Sequence, residues 1–433
     1  SAISASAAGS IIVQGGTVSG VSLPEALTFG TASVFESANA IDICAAFDSS
    51  NNRVVFAYKD SGNSPGQGTA VVATLSGTSL TYGTPVVFET DETREPSIAF
   101  DSNENKIVIA YREDNAPSYL GKSVVGTVDP SDNSITFGTA VQFSAANAYN
   151  TTTVFDSNSN RIVIGYRDTS NSNKGTAVVG TVSGTSITYG TPVVYDSGAV
   201  QNYGGGGFDS TSNQAVFCYV VGADEKCILG AVDPSDNSIT YGAATTIASN
   251  GTGFRSVSFD STNNRVVETF SDGSTGKTMC AVGTVSGTSI SFGTPVVAES
   301  SVYAGYVGSA FDVSSGRMVI VVNTASSGYG FTGAVSGTTI TVDSSTVTFL
   351  SGDPNYVNAV YESNANKVVV SYGDATNSNY GTGVVATYGT VPLTTGTKYF
   401  VAPTGGFSST AGSPSVNAGL AISTTSLLLN GDS

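Results

Sequence analysis

The stretch VFDSNSNRIVIGY at residues 154–166 sets an aromatic residue and an acid before a polar turn, and follows the turn with a run of β-branched residues. The same line recurs as AFDSSNNRVVFAY (46–58), AFDSNENKIVIAY (99–111), GFDSTSNQAVFCY (207–219), SFDSTNNRVVETF (258–270), AFDVSSGRMVIVV (310–322) and VYESNANKVVVSY (360–372). Its aromatic members are Phe47, Phe100, Phe155, Phe208, Phe259, Phe311 and Tyr361, spaced 53, 55, 53, 51, 52 and 50 residues apart. A period of about 50 residues holding several short strands marks a β-propeller or a solenoid. Fold and function are therefore read per repeat.

In the second copy, LTYGTPVVF (80–88), PSIAF (96–100), KIVIAYR (106–112) and KSVVGTV (122–128) read as four strands separated by turns. Ile107, Ile109 and Tyr111 alternate with Val108 and Ala110, so this strand is apolar on both faces, as a blade between two neighbours requires. SGTS (76–79, 183–186, 286–289) and DPSDNS (129–134, 233–238) are hairpin turn sequences. The expectation is an all-β chain, a seven-bladed β-propeller of four-stranded antiparallel blades over 21–390. An N-terminal segment with a closing strand (1–20) precedes it and a small β-rich C-terminal module (391–433) follows. IIVQGGTVSG (11–20) resembles a fourth strand and LTTGTKYFV (393–401) a first, and borrowing a strand from the opposite terminus hides the edges of a propeller. Either one fits the closing role.

The length of 433 residues suggests about three domains, but units that bury their cores only against each other count as one array. Charged residues make up 11% of the chain, the net charge is −17, and 51 glycines accompany abundant Ser, Thr and Val. That composition suits many short strands joined by tight turns. The 16 basic residues are scattered singly, which argues against binding to nucleic acid or an anionic membrane surface. No run approaches the roughly 20 apolar residues of a membrane span. The start, SAISASAAGSIIVQGG, has neither an initiator Met nor a basic leader segment, and reads as a processed or partial product.

The chain contains no His, which removes the usual serine- and cysteine-hydrolase relays and the usual zinc sites. The acid after each aromatic (Asp48, Asp101, Asp156, Asp209, Asp260, Asp312, Glu362) can be read as a ring of cation ligands. It can equally be read as a turn-forming group facing the residue five positions on: Arg53, Lys106, Arg161, Gln214, Arg265, Arg317 or Lys367. The recurrence of both members favours the turn. A second acid (Asp60, Glu113, Asp168, Asp272, Asp374) offers carboxylate pairs of the kind glycosidases use, without singling one out. Cys44, Cys218, Cys227 and Cys280 have no CxxC spacing and fit buried thiols, a Cys218–Cys227 disulfide across one hairpin, or a metal. The acceptor patterns at Asn150 and Asn250 are assigned no role. Neither a catalytic residue, a metal nor a cofactor is expected.

Departures from the repeat gather in the connections between the first and second strands and between the third and fourth. An aromatic stands five residues before the landmark at Tyr203, Phe254, Tyr306 and Tyr356, and six before it at Tyr149; the first two copies place Ile41 with Asp42, and Arg94 with Glu95, there instead. Tyr119, Tyr329 and Tyr380 add further rings. Aromatic faces among amides and carboxylates suit sugars, so these eight aromatics are the candidate glycan contacts. The alternative is that they plug the ends of the core.

FDSNSNRIVIGYRDTSNSNKGTAVVGTVSGTSITYGTPVVY (155–195) and the tail beginning LTTGTKYFV resemble repeat-containing tail-fibre and virion structural proteins of marine tailed bacteriophages, and uncharacterised marine bacterial proteins. The resemblance covers nearly the whole chain and implies a virion or cell-surface location, a homo-oligomeric assembly, and contact with host surface polysaccharide. Sialidase-type propellers and WD repeats fit less well, because the chain has no Trp and its arginines sit mostly at repeat turns. The expected function is thus a non-enzymatic virion or surface adhesion protein. An inert spacer subunit and a carbohydrate-active propeller enzyme are the alternatives.

Overall fold

The computed structural model describes residues 16–19, 23–115, 118–201, 204–300, 305–343, 345–391, 393, 395, 397–401, 407–410 and 417–429. These residues are all-β: strands joined by turns, with 3-10 turns at Thr169–Asn171 and Ala375–Asn377. They contain no helix long and apolar enough to cross a membrane. Two compact units are present, one over 29–387 and one made from 1–28 with 388–433.

The repeat folds through its landmark turn. In the first copy Asp48 ends one strand, and its carboxylate accepts the backbone N–H groups of Ser50 and Asn51, both at 3.0 Å. Asn52, at φ 53°, turns the chain back into Arg53–Asp60. Asp101, Asp156, Asp209, Asp260 and Asp312 accept in the same way from the residues two and three places on. Glu362 accepts from Ala365. The turn reading of the acids therefore holds. Each acid also stands opposite the residue five places on across the hairpin, as expected, but that residue's side chain does not close onto the acid.

The residue five places on reaches into the following repeat instead. Arg53 donates to Asn133 Oδ1 and the Pro130 carbonyl, both at 2.6 Å, and Arg161 does the same at Asn237 (2.7 Å) and Pro234 (2.6 Å). Gln214 reaches the Gly287 carbonyl (2.6 Å) and Arg265 that of Gly337 (2.8 Å). Arg317 departs from the pattern and pairs with Asp343 at 2.8 Å.

Each sheet starts at an inner strand and grows outward. Residues 40–48 pair with Arg53–Asp60, which pairs with Gln67–Ser76, which pairs with Ser79–Tyr82 and the start of Val86–Asp101. Residues 80–88, expected to open the second sheet, thus close the first. No loop follows them: Val86–Asp101 is one 16-residue strand, outer in one sheet and inner in the next, and Ser33–Asp48 and Val141–Asp156 behave alike. Gly83 lets this outer edge touch the next repeat, because a Cβ there would lie 2.0 Å from the Asn133 carbonyl oxygen.

The inner strands touch in succession, and Pro354–Glu362 in turn touches Ser33–Asp48. The outer strand of the last repeat comes from the N-terminal side, with Ser33 opposite Gly383 and Val34 opposite Thr382. Of the two stretches considered for closure, Gly16–Ser19 pairs with Ser426–Leu429, and Lys398–Val401 pairs with Phe407–Ser408 and Asn417–Ser423. Residues 11–15 and 20 lie outside the described residues.

The core lies between neighbouring sheets. Val369 and Val385 of the last repeat pack with Val54, Phe56 and Val71 of the first. Val108 and Val125 of the second repeat pack with Ile162, Ile164 and Val178 of the third. Each such side chain contributes about 1.5–3 kcal/mol on burial, which is why the middle strands carry no polar face. Cys218 and Cys227 stand directly opposite on adjacent strands and form a disulfide, while Cys44 and Cys280 are free thiols.

Candidate functional site

The inner strands share an irregularity at their entry. Their register shifts between Ile41 and Cys44, Arg94 and Ser97, Tyr149 and Thr152, Thr252 and Arg255, and Asn355 and Asn358. The extra residue takes left-handed backbone at Asp42 (φ 54°), Glu95 (51°), Asn150 (53°), Gly253 (74°) and Tyr356 (54°). A bulge of this kind re-aims side chains. For Glu and Tyr the left-handed conformation costs about 1–2 kcal/mol.

Among the described residues, the position five before the landmark therefore forms a collar on the ring of inner strands: Asp42, Glu95, Asn150, Phe254, Tyr306 and Tyr356. Tyr203 lies outside the described residues. Asp42 Oδ2 accepts the Glu95 backbone N–H at 3.2 Å, and the Glu95 carboxylate accepts that of Asn150. The rings of Phe254 and Tyr306 lie 4.0 Å apart and those of Tyr306 and Tyr356 4.9 Å apart. Asn323 fixes Tyr306 by accepting its backbone N–H (2.6 Å) and donating its own to the Tyr306 carbonyl (3.2 Å). One arc of the collar is thus acidic and amidic, the other aromatic.

Burial is the leading influence on both acids and pushes their carboxyls above the usual range, against the N–H groups and arginines that favour the charged form. The Asp42 charge pushes Glu95 up further. Burial, joined by the Asp42 charge, also raises the Tyr356 phenol.

A second tier of side chains backs the acidic arc. Ile41 faces Lys59, Arg94 faces Arg112, and Tyr149 faces Arg167 across the strand pairs. The Arg112 guanidinium lies 3.8 Å from the Tyr149 ring centroid and that of Arg167 lies 5.0 Å from it. Lys59 pairs with Glu92, and Arg94 with Glu92 (2.8 Å) and Asp114 (3.3 Å).

Five of the eight expected aromatics bear on this region: Tyr149, Phe254, Tyr306 and Tyr356 directly, and Tyr119 through Arg112, 5.9 Å from its ring. Tyr329 and Tyr380 begin outer pairings, opposite Thr348 and Asn39, and pack there. Tyr149 is no open stacking platform, since cations lie against its ring. Composition obscured Arg112 and Arg167, which occupy matching places in YRE and YRD; the run YKD, YRE, YRD at 58–60, 111–113 and 166–168 is the signal that could have found them. These arginines lie away from the repeat turns.

The second set of acids is largely structural. Asp60, Asp168, Asp272 and Asp374 cap turns by accepting the N–H groups of Gly62, Ser170, Ser274 and Thr376. Glu113 converges with Glu89 and Asp91, and the Lys122 ammonium lies 2.8 Å from Glu113 and 3.3 Å from Glu89, where a cation would bind.

No family model and no curated protein matches the chain. Solved structures do. A protein from Lactobacillus plantarum aligns with a TM-score of 0.53 and 12% identity, covering 87% of this chain and 99% of its own. The periplasmic gluconolactonase of Pseudomonas aeruginosa aligns with 0.53 and 9%, covering 72% and 86%. The NanB sialidase of Streptococcus pneumoniae aligns with 0.46 and 12%, covering 87% and 70%. At such identity the likeness shows a propeller-like fold.

The expectation of a non-enzymatic virion or tail-fibre adhesion protein is corrected by these matches. An enzyme, the gluconolactonase, stands among the structural neighbours, and no phage or virion component is among those named here. The resemblance to tail fibres rested on turn and β-branched residues that many propeller blades need, whatever their function.

Proposed function

We propose that the chain is a seven-bladed propeller enzyme that acts by acid–base chemistry on a sugar or sugar-derived molecule at the collar. The blade count is supported by seven landmarks in sequence and by inner strands whose last member touches the first. The observation that carries the function is the Asp42–Glu95 pair. Two carboxyls on neighbouring inner strands, linked through the Glu95 N–H, are both raised by burial and held in left-handed backbone on the same collar as the tilted rings of Phe254, Tyr306 and Tyr356.

Carboxyls raised toward neutrality serve as proton donor and acceptor in turn. The wall of Phe254, Tyr306 and Tyr356 offers an apolar face to C–H groups, while Asn150 and the acids face hydroxyls. Hydrolysis of sugar lactones and aryl glycosides by the purified protein tests the reading. Asp42→Asn and Glu95→Gln keep an acceptor for the neighbouring N–H and should each lower kcat by about 10²–10⁴ with little change in Tm. Absence of turnover on both substrate classes, or full activity in both variants, would overturn it.

A further inference from the structure

We propose that Arg112 and Arg167, whose guanidinium groups lie 3.8 and 5.0 Å from the Tyr149 ring centroid, form an anion subsite, so that the ligand of the collar carries a carboxylate or another compact anionic group. The inference deepens the reading of the collar as the working site, and depends on it only for the sugar part of the ligand. Two arginines, 112 and 167, each keep a buried Nε without a hydrogen-bond acceptor among the described residues. An unpaired buried donor on a cation is costly and rare, and marks a place where an acceptor is missing.

Arg112 is the most enclosed, with its side chain 7% exposed. Its nearest carboxylates, Glu95 at 3.8 Å and Asp114 at 3.7 Å, lie beyond hydrogen-bond distance. Arg167 makes no ion pair among the described residues and lines a recess with Asn150, Thr152, Gln201 and Gly205. Two like charges on one ring are tolerable while the phenol face screens them, and become favourable when an anion is shared between them. The planar fork of arginine suits a carboxylate in two-point contact. Such a cationic pocket stands out in a chain of net charge −17.

The test is calorimetric titration of the intact protein with D-glucuronate, D-glucose and inorganic sulfate at two salt concentrations. Glucuronate should bind at least about tenfold more tightly than glucose and weaken as salt rises. Arg167→Met should abolish that preference, and Arg167→Lys should restore part of it, with unchanged Tm in both. Equal affinity for the charged and neutral sugars, unaltered glucuronate binding in Arg167→Met, or no binding of any probe would overturn the subsite. Binding of sulfate that depends on Arg167, with neither sugar bound, would uphold the subsite while removing the saccharide reading of the collar.

Discussion

Lys367 of the last repeat donates its ammonium to the carbonyl of Gly77, 290 residues earlier in the chain. Arg53, Arg161, Gln214 and Arg265 make the same contact between consecutive repeats. The seam between the first and last repeats is therefore built like the other junctions. Gly30 repeats the pattern from the opposite side, since a Cβ there would meet the Thr78 carbonyl oxygen at 2.4 Å, as one on Gly83 would meet that of Asn133.

The seam glycine should be intolerant. Gly30→Val should cost about 1–3 kcal/mol from overpacking against a turn that cannot withdraw. Gly184→Asn, at φ 60° with open space around it, should be nearly neutral. Denaturant midpoints at constant m-value compare the two, and equal midpoints would contradict the close approach.

Glu268 should set a pH dependence. It is buried in a cluster with Arg255 and Glu225, whose carboxylate accepts from Arg255 at 2.9 Å, and burial raises its own carboxyl well above the usual range. The folded protein thus holds this proton more tightly than the unfolded chain. Stability from this group is full below the ordinary glutamate range and is lost as pH rises through that range toward the raised folded value. Glu268→Gln should flatten that decline and raise Tm at neutral pH, as thermal melts across about pH 5–8, the range over which stability is usually greatest, would reveal.

Removal of the Cys218–Cys227 bridge should be measurable but not lethal. The bonded residues are 9 apart in sequence, and a loop of that length restricts the unfolded chain by about 2–3 kcal/mol in the entropic account. Cys218→Ala with Cys227→Ala, compared with the reduced wild-type protein by urea titration, separates the loss of the bond from the loss of sulfur packing.

Asn323 should hold the aromatic wall in place. It is 1% exposed and bonds both backbone groups of Tyr306. Asn323→Ala removes the acceptor of the Tyr306 N–H while the backbone bond to the Tyr306 carbonyl remains, and should cost about 1–3 kcal/mol; a shift of the Tyr306 ring signals in NMR would report the released wall. Tyr306→Ala should leave stability nearly intact while weakening any ligand that stacks there.

Much of this was legible in the residues. The landmark gave the turns, the both-faces-apolar strands gave the burial, and the departures at −5 and −6 from the landmark gave the collar. Sheet membership of residues 80–88 was not, because a strand shared by two sheets has no internal mark. Only the Gly83 contact, which depends on the next repeat, divides it. The partner of Arg53 was hidden for the same reason: its acceptor, Asn133, lies 80 residues away. Asp42 and Glu95 stood in view, but their joint burial arises only when successive inner strands meet.

The 16-residue strands Ser33–Asp48, Val86–Asp101 and Val141–Asp156 belong to two sheets at once, whereas later junctions are interrupted, as between Thr245–Ala248 and Gly251–Asp260. A pull that peels one sheet at an uninterrupted junction must also extract the inner strand of its neighbour. The seam between the first and last repeats is one of these junctions. Under load the ring should part first in the second half of the sequence, leaving that seam and the acidic arc of the collar as the last to yield.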